Sequence, residues 1–450
     1  MATLSAYPPL AGESRGQWLA LGFGTSAAMW ALAYLSRLFA SALPPWLLFV
    51  LFIVCLLGGG ALAGRYGTRG VAGGARVGAL ASLLNLLILG SVLGGDVPGE
   101  LRRAAVFWVP GSILLGVLLA ACGAWLAMRK RTPEPFSSSA APPALGWNSA
   151  FAAVAAATTL MLLGAGGLVT SEEAGLAVVD WPNSYGFNMF LYPLSRMTGG
   201  IFYEHAHRLL GSLVGLTTLV LALQLQFSER RRWLRALGWV ALLMVVLQGL
   251  LGGLRVTGRF TMSQSPTDMA PSLDLAVVHG ILGQLFFGLL LALTAFSSRL
   301  WVSGRLPEPR PTASTDRQLT AVLVLAVFVQ LVLGAMLRHM ARGMLWHVSF
   351  AMVLALLALA VGARHWGLYR DLPLLRPLGR TLTILVGVQL LLGTGALAAV
   401  NGTPDPGDLP WWEVALTTLH QLTGATILGL SVLLSLWSRR LLAPEPEQAS

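Results

Sequence analysis

The sequence predicts an all-α polytopic membrane protein with about twelve transmembrane helices. Of its 450 residues, 55% are hydrophobic and only 11% are charged, and the mean hydropathy is +0.71. These values exclude an ordinary soluble domain and a disordered chain. The apolar runs of about 17–25 residues are long enough to cross some 30 Å of hydrocarbon as helices, and no ten-residue alternating pattern favours a β-barrel.

Arginine clusters recur in the short loops between the predicted helices. The twelve apolar runs span residues 18–39, 46–63, 77–95, 107–128, 147–169, 207–227, 237–254, 275–296, 319–337, 345–361, 381–400 and 414–437. Each arginine cluster follows an even-numbered helix, so the positive-inside rule predicts that these loops and both termini are cytoplasmic. The net charge of +11 is thus a topology signal, and we expect a lipid bilayer rather than nucleic acid as the partner surface.

The chain divides into an N-terminal extension and a larger core. Residues 1–130 hold four predicted helices without histidine, and nothing in them indicates a function. Residues 131–146 are rich in Pro, Ser and Ala, which is typical of a linker. The core is predicted to hold four helices in a first unit, residues 147–300, and four in a second unit, residues 315–440.

The two units look duplicated, as in many membrane proteins built from internal repeats. The motif Gln248-x-Leu-Leu-Gly252 precedes His279, and Gln389-x-Leu-Leu-Gly393 precedes His420. In both cases the glutamine lies 31 residues before the histidine. Because this spacing is kept across an intervening loop, the core is predicted to consist of two four-helix bundles related by a pseudo-twofold axis.

Four histidines occupy matching places in these bundles. They lie within about the first two turns of predicted helices 6, 8, 10 and 12, near the outer membrane surface, and are His207, His279, His347 and His420. A small residue follows each of them four positions later on the same helix face; these are Gly211, Gly283, Ala351 and Gly424. Two facing imidazoles with room for a flat apolar disc are typical of a bis-histidine heme in a four-helix bundle.

Two other uses of intramembrane histidines are weaker. Zinc requires a compact set of three or four N or S donors backed by carboxylates, and a single histidine often forms only a hydrogen bond between helices. Four histidines in pairs with repeated spacing favour heme over both. Of the remaining histidines, His205 faces another side of helix 6 and is predicted to lie at an interface, whereas His339 is predicted to be interfacial or to contact a propionate.

One acid accompanies the first unit and has no counterpart in the second. Glu204 lies three residues before His207 on the same helix face, whereas Met344, preceded by Gly343, takes that place before His347. A carboxylate beside a heme edge can stabilise developing positive charge or move a proton. The alternative is a helix N-terminal acid favoured by the helix dipole. This difference predicts one reactive unit and one unreactive unit.

Several arginines lie on the outer side, against the positive-inside bias. They are Arg196, Arg208, Arg255, Arg259, Arg338 and Arg342. Guanidinium groups bind carboxylates bidentately, so we expect Arg208, Arg255 and Arg338 to contact heme propionates. Arg208 is the first choice because it adjoins His207. Snorkelling to lipid phosphate is the alternative for any one of them.

These residues together resemble the heme A synthase family. The resemblance rests on Glu204-x-x-His207-Arg208 after an outer segment with Gly175-Leu176 and Asp180-Trp181-Pro182, on His279-Gly280-x-x-Gly283-Gln284, on His347 and on His420-Gln421. It covers about residues 147–440 and does not extend to 1–140. Some family members carry a cysteine pair in the first outer loop, where this chain has Val178 and Ser184.

The resemblance implies an enzyme that oxidises the C8 methyl of heme O to a formyl group, giving heme A for cytochrome oxidase. It implies that His207 and His279 hold the substrate heme beside Glu204, and that His347 and His420 hold a heme b that relays electrons. A heme O synthase and a membrane or quinone-linked electron partner are the expected partners. The expected location is the bacterial cytoplasmic membrane, with the heme sites near its outer face.

Two rival functions use the same features. A diheme electron carrier of the b-cytochrome type would use the four histidines without chemistry on the ring, but it would not require an acid such as Glu204 in one unit. A transporter or heme exporter would also suit twelve helices and a repeat. The polar groups, however, gather at the outer surface rather than at the membrane midplane.

Overall fold

The computed structural model describes residues 13–38, 43–129, 146–257, 272–303, 306–402 and 410–445. Among these residues, twelve helices are long and apolar enough to cross a membrane. The prediction of an all-α polytopic membrane protein is therefore confirmed. The predicted linker lies outside the described residues except for Gly146, and so does Arg259.

The long helices are numbered α1 to α12 in chain order. They are Glu13–Leu38, Pro45–Tyr66, Gly70–Leu93, Ala105–Arg129, Trp147–Ser171, Gly199–Ser228, Arg232–Thr257, Leu273–Phe296, Ala313–Met340, Met344–Leu368, Leu375–Gly402 and Trp411–Leu441. Single helical turns span Met189–Leu191, Leu194–Arg196 and Arg299–Val302. Two short parallel strands, β1 (Glu308–Pro309) and β2 (Leu442–Ala443), pair with each other.

Several helices extend beyond the apolar runs that predicted them. The largest extension is at α6, which begins at Gly199 rather than at residue 207. A hydropathy pattern detects only the part of a helix that lies in hydrocarbon, whereas backbone hydrogen bonding continues into the polar region. Glu204 and His205 therefore lie inside α6 rather than in the preceding loop.

The helices form three groups by their contacts. In the second group α5, α6, α7 and α8 form a closed ring in which each helix contacts its two neighbours, and α9 to α12 form an equivalent ring. The two rings meet where α12 packs against α5 and α8 and where α9 packs against α8. The first group, α1 to α4, packs on the second chiefly through α1 and α5. A twofold relation between the two rings stays a prediction.

Small residues bring the helices of the first group close together. A Cβ built at Gly60 would overlap the carbonyl oxygen of Ala120, and one at Gly78 would overlap that of Gly116. Such backbone contact is the usual way in which helices associate where the hydrophobic effect is absent. The first group is therefore a tightly packed unit rather than a loose appendage.

Each even-numbered helix of the two rings begins where its odd-numbered predecessor ends, and this common end is called the histidine end below. At the opposite end of the second ring, the fully buried Asp316 accepts hydrogen bonds from Arg364 Nε at 2.7 Å and from the Tyr369 hydroxyl. Burial and the bond to Asp316 raise the pKa of Tyr369 to about 12, so its hydroxyl remains a donor at neutral pH. This network fixes the end of the ring that carries no histidine pair.

Candidate functional site

The structure brings the four histidines together in two pairs at the histidine end. The ring centroids of His207 and His279 lie 6.4 Å apart, with an angle of 68° between the ring planes. Those of His347 and His420 also lie 6.4 Å apart, at 74°. Each pair lies inside one ring of helices, on α6 and α8 or on α10 and α12. The pairs are thus those named from the sequence, and their separations are equal.

Each histidine ring rests against a glycine of the preceding helix. A Cβ built at Gly166, Gly252, Gly334 or Gly393 would lie 3.0, 3.6, 3.1 or 2.8 Å from Cε1 of His207, His279, His347 or His420, respectively. At three of the four places this distance is too short for a real side chain without movement of the ring. The glycines therefore set how far each imidazole can extend toward the neighbouring helix.

A glutamine lies four positions before three of these glycines, and a leucine lies there before the fourth. Gln248 Nε2 donates to the backbone oxygen of His279 at 2.9 Å, and Gln330 Nε2 donates to the backbone oxygen of His347 at 3.1 Å. Leu162 stands in the equivalent place before Gly166. His207 therefore lacks the amide that accompanies the other histidines.

Gln389 completes the set of three amides, with its Nε2 atom 3.4 Å from Nε2 of His420. The Nδ1 atoms of His207, His279 and His420 are buried and have no hydrogen-bond partner among the described residues. Backbone carbonyls of the preceding helices lie beside these three rings, without hydrogen-bonding geometry. Buried imidazoles with unpaired nitrogens are suited to bind a metal ion.

The donor set fits heme iron better than zinc. No group of three or more His, Cys, Asp or Glu side chains in the described parts of the chain could hold a metal ion, so a compact zinc site is not formed there. A pair of imidazoles instead matches the two axial positions of a heme. Beside the first pair, Cβ atoms built at Gly211 and Gly215 would meet no described atom within 4 Å, which leaves space along α6 for a flat ligand.

Glu204 is buried on α6 one turn before His207 and is held at both carboxylate oxygens. Its Oε1 accepts a hydrogen bond from Arg208 Nη2 at 2.6 Å, and its Oε2 accepts one from the backbone N–H of Val178 at 2.8 Å. Only 4% of the residue is exposed. Each oxygen keeps a further lone pair, so the carboxylate can still accept a proton or a hydrogen bond.

Arg208 joins Glu204 to the α5–α6 loop, defined here as residues 172–198. Besides Glu204, it donates to the backbone oxygens of Val178, Asp180 and Asn183 at 2.7, 2.7 and 3.0 Å. Four of its five N–H donors are therefore used within the described residues. The geometry thus makes Arg208 a cross-link of the loop and leaves little of it for a propionate.

The other two candidate arginines lie in different surroundings. Arg255 is close enough to Glu204, His207 and His279 for electrostatic interaction, and its buried Nε has no partner among the described residues. Arg338 Nη2 donates to Ser171 Oγ at 2.8 Å, between the two rings of helices. Arg255 is consequently the better placed of the two to bind an acid at the first pair.

The two remaining histidines of this end connect neighbouring parts of the molecule. His205 is fully buried, its Nδ1 lies 3.0 Å from Ser184 Oγ, and its ring lies 5.0 Å from that of Tyr192. His339 of α9 approaches the first ring, 3.9 Å from a Cβ built at Gly280. His205 therefore packs the α5–α6 loop onto α6, and His339 lies where the two rings meet.

Sequence reasoning missed the glycines that seat the histidines. Gly252 and Gly393 belonged to the recognised repeat, but Gly166 and Gly334 were not identified. Gln330-x-x-x-Gly334 carries the same spacing and could have been found by extending the repeat to α9. The fourth instance, Leu162-x-x-x-Gly166, is harder to recognise because leucine replaces the glutamine of the pattern.

If the second pair binds heme, Gly393→Ala is expected to weaken that binding. The added Cβ would lie 2.8 Å from Cε1 of His420, so the ring must move, and overpacking of this kind costs about 1–3 kcal/mol. Heme B content and the midpoint of thermal unfolding would both be measured. The matched control is Gly387→Ala in the same helix, whose Cβ meets no described atom within 4 Å; equal losses in both variants would contradict a seating role for Gly393.

Residues 187–348 match the family model COX15-CtaA, described as cytochrome oxidase assembly protein. The resemblance found in the sequence is thereby confirmed over this range. The matched range includes the first histidine pair and His347 and ends before His420. No curated protein matches the chain. The match supports a role in cytochrome oxidase assembly.

Proposed function

Because residues 187–348 match a family of cytochrome oxidase assembly proteins, we propose that this protein is a heme A synthase, a membrane oxidoreductase that converts the C8 methyl of heme O to a formyl group. One observation supports it above all others. Two histidine pairs have the same 6.4 Å separation, yet among the described residues only the first pair has a buried carboxylate, Glu204, one helical turn before one of its histidines. The first pair is proposed to hold heme O as substrate, and the second to hold heme b.

The reaction must remove four electrons and four protons from the methyl carbon and one water, whose oxygen becomes the formyl oxygen. Heme iron supplies the redox chemistry when bound. Glu204 is proposed to stabilise positive charge at the reacting carbon, or to orient the water and accept its proton. Arg208 and the Val178 N–H hold the carboxylate in place, so that it need not reorganise during the reaction.

The second pair is assigned electron relay because no carboxylate stands one helical turn before either of its histidines; the nearest acid on α12, the buried Glu413, lies seven residues before His420. Met344 stands where the first unit has Glu204, and the Gln330 and Gln389 amides beside His347 and His420 are neutral. Electrons would leave through heme b to a membrane or quinone-linked partner, and a heme O synthase would supply the substrate. The proposed units are residues 1–130, the linker 131–146, and the two heme-binding units 147–300 and 315–440.

The proposed orientation follows from the arginine-rich loops. Both termini would be cytoplasmic, and the histidine end would face the outer side of the bacterial cytoplasmic membrane. Arg255 is the first choice for a propionate contact in this arrangement, with Arg338 and Arg208 as the other candidates. A propionate near the aqueous boundary would satisfy the unpaired Nε of Arg255.

The test is mass analysis of hemes extracted from the full chain purified after expression beside a heme O synthase. We expect heme B together with heme O and its hydroxylated or formyl products. Heme B alone at two per chain, unchanged when heme O is available, would contradict the proposal. That result would favour a diheme electron carrier of the b type.

A further inference from the structure

The α5–α6 loop rests on α3 of the N-terminal unit through direct backbone contact. The helical turn Met189–Leu191 lies across the end of α3, where Cβ atoms built at Gly90 and Gly94 would overlap the carbonyl oxygens of Phe190 and Leu191. Any side chain at these two positions must therefore displace the loop or the helix. No lipid or solvent fills this contact, because the backbones themselves touch.

Polar contacts extend this interface between the α5–α6 loop and the N-terminal unit, which is called the seam below. Arg196 Nη2 donates to the backbone oxygen of Asp96, just after α3, at 2.9 Å. Arg37 of α1 donates to the backbone oxygen of Met197 at 3.4 Å and lies over the ring of Phe202, 5.5 Å from its centroid. The N-terminal unit thus contacts the loop from the helical turn to the beginning of α6.

The ring of Tyr34 adds an aromatic contact to the same seam, since it stacks on Phe202 with centroids 5.6 Å apart. From there the loop leads to the candidate reactive group. Tyr192 and Ser184 contact the buried His205, and Val178 donates to Glu204. One side of the loop therefore contacts Glu204 and His205 of α6, while the other side packs on α1 and α3.

We propose that the N-terminal four-helix unit is a platform that positions the α5–α6 loop, and that Gly90 and Gly94 are positioning residues for Glu204. The proposal rests on the proposed function for its link to heme oxidation. It gives the four additional helices a task, although they contribute no side chain to the histidine pairs in the described structure. Neither glycine touches Glu204; both act through the loop.

The test compares alanine substitutions within the same unit of the full chain. Gly90→Ala and Gly94→Ala each add one methyl group at the seam. Gly58→Ala in α2 and Gly111→Ala in α4 add the same group where a Cβ meets no described atom within 4 Å. Alanine is also the better helix former, so the controls should remain folded.

Two measurements are made on every variant. The first is the ratio of heme A to heme O, together with the heme B content, which reports whether the second ring of helices is intact. The second is hydrogen exchange of the peptides that cover residues 176–198, measured against those that cover α1, α2 and α4. We expect the seam variants to lower heme A formation about ten- to a hundredfold, since displacements of about 1 Å can cost this much, with heme B retained.

Faster exchange confined to residues 176–198 is expected in the seam variants and not in the controls. Unchanged exchange of this loop would overturn the proposal, and so would equal acceleration throughout α1 to α4, because that would indicate general loosening. If a seam variant lost heme B, Arg196→Gln would be used instead, since it removes the bond to Asp96 without adding atoms. It should accelerate exchange in the same residues.

Failure of the platform and failure of the proposed function are distinguishable. If the unaltered protein formed no heme A, the proposed function would fall, but the exchange comparison would still decide whether the unit holds the loop. If heme A formed equally in seam variants whose loop exchanged faster, the link between loop and Glu204 would be overturned.

Discussion

Replacing Glu204 by glutamine is expected to lower heme A formation by a factor of about 10²–10⁴, the usual contribution of a positioned acid or base. Glutamine has nearly the same shape, and its amide oxygen can still accept the Val178 N–H, so the loop should stay in place. It cannot stabilise positive charge or accept a proton as a carboxylate does. Heme O should therefore accumulate in the protein while heme B content stays unchanged.

The control for this substitution is Glu229→Gln at the other end of the same helix. Glu229 follows α6 and forms an ion pair with Arg231, with 2.7 Å between Oε2 and Nη2, much as Glu204 does with Arg208. It lies far along the helix from the histidine pairs and should leave heme A formation intact. Full heme A output from Glu204→Gln would assign the chemistry to another group.

Alanine substitution of one histidine in each pair should have opposite effects on the two hemes. His420→Ala removes one of the two facing imidazoles of the second pair, and we expect heme B to be lost and oxidation to stop. His207→Ala should remove heme O and its products while heme B remains. Absorption spectra and heme extraction of the purified variants measure both contents, and each variant should hold about half of the normal heme.

A histidine outside the pairs provides the comparison. His365 lies in α10 with His347, but its Nε2 contacts Ser438 Oγ at 2.9 Å and its Nδ1 contacts the Val361 carbonyl oxygen at 2.8 Å. Both nitrogens are used at the end opposite to the pairs. His365→Gln should keep both hemes. Retention of two hemes by His420→Ala would contradict the assignment of the second pair.

The fold was largely predictable because hydrocarbon imposes a simple length and composition on each helix. All twelve predicted spans correspond to helices. Helix ends were less predictable. The eight residues of α6 before His207 are polar enough to read as a loop, yet they are helical because the loop packs on them.

The histidine pairs could be read from the sequence, whereas their surroundings could not. Because a helix is periodic, the number of residues between two side chains gives their relative depth in the membrane and the helix face on which each lies. The bonds of Arg208 to three loop carbonyls depend on a loop conformation without any period, and its part in holding the loop was therefore missed. The contact of Gly90 and Gly94 with the loop joins segments about a hundred residues apart, for which one sequence carries no signal.

The last helix to be synthesised, α12, completes contacts in both rings. It packs against α5 and α8 and also closes the second ring, and β2 follows it directly to pair with β1. Domains generally fold in order of synthesis, so the first ring can close while the chain is still growing. Until the last span enters the bilayer, His347 faces no partner and lipid covers the surface that α12 will occupy. A chain terminated after α11 would therefore contain only the first histidine pair and would expose the surfaces of α5 and α8 that α12 normally covers. We expect membrane proteases to degrade such a chain as incompletely folded.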